Sequence, residues 1–299
     1  HRQLGRAQRL REDQLMALIE AKTAIVTGGA SGLGEATCRL IVAEGGQVCI
    51  ADIQDDKADA LSAELGDAAH STHVDVTSED DVAGVVDDAV ARWGRLDCMF
   101  NNAGIVGAVG PIDEIPLAEW EFSIDVLLKS VFLGSKHAAR VMKPQGNGVI
   151  LATSSIAGIQ GGLGPHAYNM AKTAIVGFTK NLAAELGPFG VRAAAIAPGK
   201  HNTPMNADVL YGDPEALERS LRYFTEQGTP LKGRPGLAED IAEAAVWLMS
   251  DRAGFVSGHT IVVDGGFTTG SAEGAQPGGG RFGSHEPLLR EGGRRGLDS

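Results

Sequence analysis

The sequence has few cysteines and no long apolar run. Its three cysteines, Cys38, Cys49 and Cys98, are widely spaced. Their spacing matches neither a disulfide framework nor a zinc site, so we expect small buried side chains and no bound metal. Isolated cysteines are typical of a reducing compartment, and we therefore expect a cytoplasmic protein. No run of about 18 apolar residues occurs, which predicts that nothing spans a membrane.

Basic residues are outnumbered by acidic ones. The chain carries 26 Lys and Arg against 38 Asp and Glu, a formal net charge of −12. Nucleic-acid binding needs clustered Lys and Arg, so the charge argues against a nucleic-acid partner. The apolar fraction of 43% and charged fraction of 21% are ordinary for a globular protein. A chain of 299 residues can bury a large core without disulfides or metals.

The chain is expected to form one domain between two terminal segments. Residues 1–15, before Met16, are predicted to be an added or upstream segment without ordered structure. Residues 16–266 are predicted to form the domain, and the glycine-rich residues 267–299 a disordered tail. A long polar insertion at 204–236 is predicted to act as a lid over the substrate, because connections of that length often cover a site.

From residue 22 onward, short β-branched runs alternate with longer helical patterns. Strands are predicted at Thr23–Thr27, Gln47–Asp52, 72–75, 96–101, 148–154, 192–197 and 260–264, and helices near 33–44, 55–65, 78–93, 117–142, 167–187 and 237–250. Nearly apolar strands separated by helices are typical of a parallel sheet covered on both faces. We therefore expect a single doubly wound α/β domain with a seven-stranded parallel sheet, whose ligands bind at the carboxyl ends of the strands.

A glycine-rich turn follows the first predicted strand. Gly28, Gly32 and Gly34 permit a tight turn and let backbone N–H groups approach a pyrophosphate at the start of a helix. Their spacing differs from the common G-x-G-x-x-G fingerprint. Asp52, which ends the second strand, can accept ribose hydroxyls and would repel the extra phosphate of NADP. The pattern favours NAD, although Asp52 could also simply cap the following turn.

Tyr168 and Lys172 are spaced to share one face of a helix. A nearby ammonium stabilises a phenolate, so we expect Lys172 to lower the pKa of Tyr168 and make it a general acid and base. Ser155, at the end of the fifth strand, could hold the same substrate oxygen. Taken alone, the Tyr–Lys pair would be better explained as a surface contact.

Together these motifs resemble the short-chain dehydrogenase/reductase family, in its NAD-preferring branch. The resemblance covers about residues 18–266 and includes Asp75-Val76, the N-N-A-G run at 101–104, Pro198-Gly199 with Thr203-Pro204, and the D-G-G run at 264–266. It implies a Rossmann fold and catalysis by Ser155, Tyr168 and Lys172. It places the following residues around NAD: Gly28, Ser31, Gly32, Leu33, Gly34, Asp52, Ile53, Asp75, Val76, Asn102, Ala103, Gly104, Tyr168, Lys172, Pro198, Gly199, His201 and Thr203.

The resemblance also implies roles for individual residues. Asp75 and Val76 would flank the adenine, and Thr203 would meet the nicotinamide carboxamide. Lys172 would also bind the nicotinamide ribose. The implied activity is NAD-dependent hydride transfer between an alcohol and its ketone, with Tyr168 handling the hydroxyl proton. Family members usually form dimers or tetramers through the two long helices at 117–142 and 167–187, so we expect a homo-oligomer.

The sequence departs from the family pattern at three positions. Leu127 and Ala194 stand where relatives usually carry asparagine, and His201 stands where an aliphatic residue is more common. The asparagine at the position of Leu127 is thought to hold a water in a proton relay. A working enzyme with an altered relay is favoured because all three reactive residues are present. The alternatives are a catalytically impaired dinucleotide-binding homologue and a 3-oxoacyl reductase-like enzyme.

The substrate pocket is expected to be apolar. The family's geometry assigns its lining to Ile105, Val106, Val109, Ile112, Ile156, Ile159, Gln160, Leu163, Met205, Leu210 and Tyr211. These residues favour a hydrophobic secondary alcohol, such as an alicyclic, terpenoid or steroid-like one. The G-G-L-G-P-H-A-Y run at 161–168 is similar to that of plant-type members that oxidise such alcohols. The other interpretation is that these apolar residues only complete the core.

Overall fold

The central sheet has seven parallel strands, as the sequence predicts. The computed structural model describes residues 17–231 and 233–270. The sheet comprises β1 (Thr23–Thr27), β2 (Gln47–Asp52), β3 (Ala69–His73), β4 (Cys98–Asn101), β5 (Gly148–Thr153), β6 (Val191–Pro198) and β9 (His259–Val263), in the order β3-β2-β1-β4-β5-β6-β9. The strand order reverses between β1 and β4, which is where ligands bind in doubly wound folds.

Nine α-helices are described along these residues. They are α1 (Gly32–Ala43), α2 (Asp55–Leu65), α3 (Glu79–Trp93), α4 (Leu117–Ile124), α5 (Ser130–Gln145), α6 (His166–Leu186), α7 (Pro204–Tyr211), α8 (Leu217–Gln227) and α9 (Ala238–Met249). No helix in the described part of the chain is long and apolar enough to cross a membrane. A two-residue ladder of β7 (His201–Asn202) and β8 (Gly236–Leu237) joins the two ends of the 204–236 insertion.

Alternate strand residues build the two halves of the core. In β1, Val26 packs with buried residues of α1 and α9, whereas Ile25 packs with those of α3 and α5. This alternation follows from the pleat of a strand, which turns successive side chains to opposite faces. Cys38, Cys49 and Cys98 are all buried and free, as expected, and burial raises the pKa of the Cys49 thiol to about 11.

Two predicted elements differ from the structure by more than two residues at a boundary, whereas the other predicted strands and helices agree to within two residues. The third strand spans Ala69–His73, not 72–75, because it is a polar edge strand paired only with β2, and its exposure weakens the apolar signal. The single helix predicted at 117–142 is divided by a π-helical turn at Asp125–Lys129. The predictions for residues 1–15 and for residues 271–299 of the tail lie outside the described residues.

Candidate active site

A cavity of about 790 Å³ opens at the carboxyl ends of the strands. Its walls come from the glycine turn, the ends of β2, β4, β5 and β6, the beginning of α6, and helices α7 and α8. All the residues assigned above to the cofactor contribute to this lining except Gly34, which lies beneath the turn. The chain therefore gathers these dispersed segments around one space.

The glycine turn is shaped by two close approaches. Gly28 has φ = +63°, a conformation that favours glycine, and a Cβ there would lie 2.8 Å from the Ala103 Cα. A Cβ on Gly34 would collide with the Gly28 carbonyl oxygen. Helix α1 therefore begins directly against the turn, and its first N–H groups, which have no partner within the helix, are those that can bind an anion. This cradle fits the pyrophosphate of a dinucleotide.

Asp52 fastens the glycine turn to the end of β2. The Ala30 N–H donates to Asp52 Oδ2 at 2.9 Å, and the Gln54 N–H donates to Oδ1 at 3.0 Å. The capping role considered for Asp52 is therefore present. Each carboxylate oxygen has more than one acceptor direction, and the residue also lies in the cavity wall. Capping and ribose binding are therefore compatible.

Asn102 links three strand ends beneath the cavity. Its side-chain N–H group donates to the Thr27 carbonyl at 3.1 Å, and its Oδ1 accepts from the Thr153 hydroxyl at 3.0 Å. The Thr27 hydroxyl in turn accepts from the N–H groups of Asn102 and Ala103 at 3.0 and 3.1 Å. These bonds hold β1, β4 and β5 in a fixed relation where the residues assigned to the cofactor leave the sheet.

Two more of the assigned residues also stabilise the backbone locally. Asp75 accepts from the Thr77 N–H at 2.9 Å, and this bond is the largest cause that lowers the pKa of Asp75. The Thr203 hydroxyl accepts from the Asn206 N–H at 3.3 Å and caps α7. Both side chains lie in the cavity wall.

Ser155, Tyr168 and Lys172 are brought to one wall of the cavity. The Ser155 hydroxyl is hydrogen-bonded to Tyr168, and the Lys172 ammonium lies 5.5 Å from the centre of the Tyr168 ring. That ammonium donates to the Thr153 carbonyl at 2.7 Å. The two side chains of α6 thus lie side by side, with Ser155 reaching Tyr168 from the end of β5.

The pKa of Tyr168 is raised above its ordinary value. The expectation that Lys172 lowers this pKa is therefore wrong. Burial is the main cause of the rise, and the hydrogen bond from Ser155 offsets only part of it. Burial also lowers the pKa of Lys172 to about 8. Both shifts have one reason, namely that a buried site disfavours the charged form of either group.

The residues where the sequence departs from the family pattern are all buried. Leu127 lies in the π-helical turn, and a Cβ on Gly104 would lie 3.5 Å from its Cδ2 and 3.8 Å from the Lys172 Nζ. The Leu127 side chain and the Lys172 ammonium therefore both lie next to Gly104. Ala194 is enclosed within β6. Burial lowers the pKa of His201, whose Nδ1 has no partner among the described residues.

The apolar wall differs in part from the predicted one. Of the residues expected there, Ile105, Val106, Val109, Ile156, Leu163, Met205 and Leu210 line the cavity. Ile112, Ile159, Gln160 and Tyr211 do not. Gln160 is exposed, and its carbonyl accepts from Asn169. Tyr211 packs instead against the Arg219 guanidinium, 4.0 Å from its ring centre.

Several lining residues were not predicted from the sequence, namely Phe122, Val126, Val209, Tyr223 and Phe224. Tyr223 and Phe224 lie on α8, within a segment interpreted as a polar insertion. The apolar residues Leu217, Leu221 and Phe224 recur there at helical spacing. That spacing is the signal that could have indicated a helix with an apolar face.

Comparison with known proteins identifies the family. A family model described as enoyl-(acyl carrier protein) reductase matches residues 28–268. Momilactone A synthase of Oryza sativa subsp. japonica is 46% identical over 250 residues, which cover 83% of this chain and 90% of that protein. (+)-Borneol dehydrogenase 2 of Salvia officinalis is 43% identical over 257 residues, 83% of this chain and 89% of that one. The chain belongs to the short-chain dehydrogenase/reductase family.

The fold of this short-chain dehydrogenase/reductase is also that of a solved relative. The crystal structure of levodione reductase matches with a TM-score of 0.76 and 32% identity, over 85% of this chain and all of that one. Membership assigns the chain to oxidoreductases that use nicotinamide dinucleotides. The cavity residues then bear on which dinucleotide and which substrate the protein takes.

Proposed function

We propose that this short-chain dehydrogenase/reductase interconverts a hydrophobic secondary alcohol and its ketone with NAD as cofactor. The observation that carries the proposal is the position of Ser155, Tyr168 and Lys172. They lie on the wall of a cavity that is apolar on one side and bounded by the glycine turn and Asp52 on the other. A substrate carbon and a dinucleotide can therefore share one cavity.

Each of the three side chains has a distinct task in this proposal. The hydroxyls of Ser155 and Tyr168 hold the substrate oxygen, and Tyr168 donates a proton to a ketone or removes one from an alcohol. Lys172 supplies positive charge beside the phenol when it is protonated. The nicotinamide, when bound, supplies or accepts the hydride. Because burial raises the pKa of Tyr168, the proton-donating form predominates at neutral pH.

The charges around the ribose end of the cavity favour NAD over NADP. Asp52 lies in the wall there, and neither the glycine turn nor residues 53–56 contain Lys or Arg. The additional phosphate of NADP would meet a carboxylate without a neighbouring cation in these segments. Like charges at short range are destabilising, so NAD is the better partner.

The apolar wall supports a bulky hydrophobic substrate. Val109, Phe122 and Val209 line the cavity yet keep 72%, 60% and 58% of their surface exposed. A ligand that covers them removes apolar area from water, which favours binding by about 25 cal/mol per Å². The relative named for borneol supports a cyclic alcohol. We propose that α7 and α8, in the 204–236 insertion, form the lid over this substrate.

The test measures reduced-cofactor absorbance with a panel of cyclic and terpenoid alcohols, with NAD and NADP in parallel. We expect turnover with NAD that falls by at least about 10³-fold in Tyr168→Phe, while NAD binding is retained. A preference for NADP would contradict the cofactor assignment. Turnover only with acyl thioesters would favour a 3-oxoacyl reductase-like enzyme.

A second candidate is a dinucleotide-binding homologue with impaired catalysis. The observation that favours it is Leu127, whose buried apolar side chain lies next to Gly104, as the Lys172 ammonium does, and offers no hydrogen bond to a proton relay. This candidate predicts NAD binding, measured by fluorescence or calorimetry, without turnover of any alcohol or ketone in the panel.

We further propose that the protein forms a homo-oligomer through α4, α5 and α6. Leu117, Phe132 and Met170 on these helices keep 67%, 51% and 45% of their surface exposed. A second copy would cover such residues. Light scattering of the purified chain tests this, and a monomer at micromolar concentration would contradict it.

A further inference from the structure

Ser154 is a buried serine that the proposed chemistry does not use. It follows Thr153 at the end of β5 and precedes Ser155. Its side chain is completely buried, and its hydroxyl donates to the Lys172 carbonyl at 2.8 Å. The bond therefore joins the end of the sheet to the backbone of α6, one helical turn beyond Tyr168.

The three consecutive residues 153–155, at the end of β5, thus contact Tyr168 and Lys172 of α6. The Thr153 carbonyl accepts from the Lys172 ammonium at 2.7 Å, and the Ser155 hydroxyl bonds to Tyr168. Ser154 holds the main chain of Lys172 between these two contacts. Lys172 is consequently held at both its backbone and its ammonium end.

The residues around this bond are closely packed. A Cβ on Gly158 would lie 2.5 Å from the Lys172 carbonyl oxygen and 2.7 Å from the Ser154 hydroxyl. The Asn169 side chain also donates to the Ala157 carbonyl at 2.5 Å. Helix α6 therefore lies directly against the turn that follows Ser155. The Ser154 bond fixes the position of the α6 backbone relative to the end of β5.

We propose that Ser154 is a positioning residue, which fixes the first turns of α6 so that Tyr168 and Lys172 keep their places relative to Ser155. The proposal rests on the proposed function, because Tyr168 is taken as the proton-transferring group. Tyr168 and Lys172 are one turn apart on a single helix, so a small slide or rotation moves both away from Ser155. A misplacement of about 1 Å can lower a rate by about 10²-fold.

The experiment compares two buried serines that make the same kind of bond. Ser154→Ala removes the bond to α6. The matched control, Ser135→Ala, removes the Ser135 hydroxyl, which is also buried and donates to the Val131 carbonyl at 2.6 Å within α5. Each variant is expected to lose a similar amount of stability, because each loses one buried hydrogen bond. We expect kcat to fall about 10- to 100-fold in Ser154→Ala and to stay within about twofold in Ser135→Ala.

Two further measurements separate positioning from folding. In Ser154→Ala we expect the acid limb of the alcohol-oxidation pH profile to move to higher pH, because a displaced Tyr168 loses part of the hydrogen bond from Ser155 that lowers its pKa. NAD affinity should fall less than kcat does, because the glycine turn would still hold the pyrophosphate of the dinucleotide. Ser154→Cys keeps a weak donor of similar size and should recover part of kcat if the alanine variant folds poorly.

The outcomes distinguish this proposal from the proposed function. If the wild type is active and Ser154→Ala has the same kcat and pH profile, the positioning role is overturned. An equal loss of activity in Ser135→Ala overturns it as well. A wild type that binds NAD but turns over no substrate overturns the proposed function instead. The pKa of Tyr168 is then read from tyrosinate absorbance, with Tyr168→Phe as blank. An unchanged pKa in Ser154→Ala still refutes the positioning role.

Discussion

Replacing Lys172 by methionine is expected to make the protein more stable at neutral pH while removing its activity. Lys172 is buried, with 3% of its surface exposed, and burial lowers its pKa from 10.5 to about 8. No charged side chain contributes to this shift, and within the described part of the chain the ammonium has one hydrogen bond, to the Thr153 carbonyl. Methionine has a similar length, is apolar, and adapts to irregular gaps.

The magnitude follows from the two pKa values. At about 1.4 kcal/mol per pKa unit, keeping Lys172 protonated in the folded state costs about 3 kcal/mol at pH 7. Loss of the hydrogen bond to Thr153 costs about 1 kcal/mol of stability, so Lys172→Met is expected to raise the free energy of unfolding by about 2 kcal/mol. Between pH 8 and pH 10.5 the unfolded chain binds a proton that the folded protein has released. The wild type therefore becomes more stable as the pH rises through this window, and the advantage of the variant disappears.

The assay is urea unfolding of both proteins at pH 7 and at pH 10, without added cofactor. Lys180→Met, at an exposed lysine of the same helix, is the matched control and should change stability by less than about 0.5 kcal/mol at either pH. In Lys172→Met we expect a higher urea midpoint at pH 7 only. A variant that is less stable than the wild type at pH 7, or a difference that does not depend on pH, would refute the argument that burial sets the pKa of Lys172.

Three other changes test the cavity. Gly34→Ala should abolish dinucleotide binding in calorimetry, because the new methyl group collides with the Gly28 carbonyl; Gly84→Ala, with open space around it, should bind normally. Asp52→Ser should narrow the NAD over NADP preference in kcat/KM by about tenfold or more, and an unchanged ratio would contradict the charge argument. Leu127→Asn should raise kcat and shift the pH–rate profile while lowering Tm, because it buries an amide; an unchanged profile would count against an altered proton relay.

The parallel sheet could be predicted because its signal is local. Strands such as β1 and β2 are short apolar runs with both faces buried, and their boundaries agree with the prediction to the residue. The boundaries of the edge strand β3 were predicted wrongly, because a strand that is partly exposed needs fewer apolar residues. The break between α4 and α5 was missed because a π-helical turn leaves the apolar periodicity almost unchanged.

The substrate wall was predicted less well for a related reason. Gln160 and Tyr211 are near the cavity in sequence order, yet one is exposed and the other is held by Arg219. Conversely, Tyr223 and Phe224 reach the cavity from α8, a helix whose position depends on how the 204–236 insertion folds back. Distance along the chain does not determine which side chain faces a shared space.

The order of residues alone indicated the chemistry that we propose for this protein. A glycine turn between a strand and a helix, an acid after the next strand, and a tyrosine one helical turn before a lysine are short-range patterns, and each can be read within a few residues. Only the tertiary structure decided the electrostatics. Burial comes from segments that are far apart in sequence, so it is the fold that raises the pKa of Tyr168, lowers that of Lys172, and ties the helix bearing both to the end of β5.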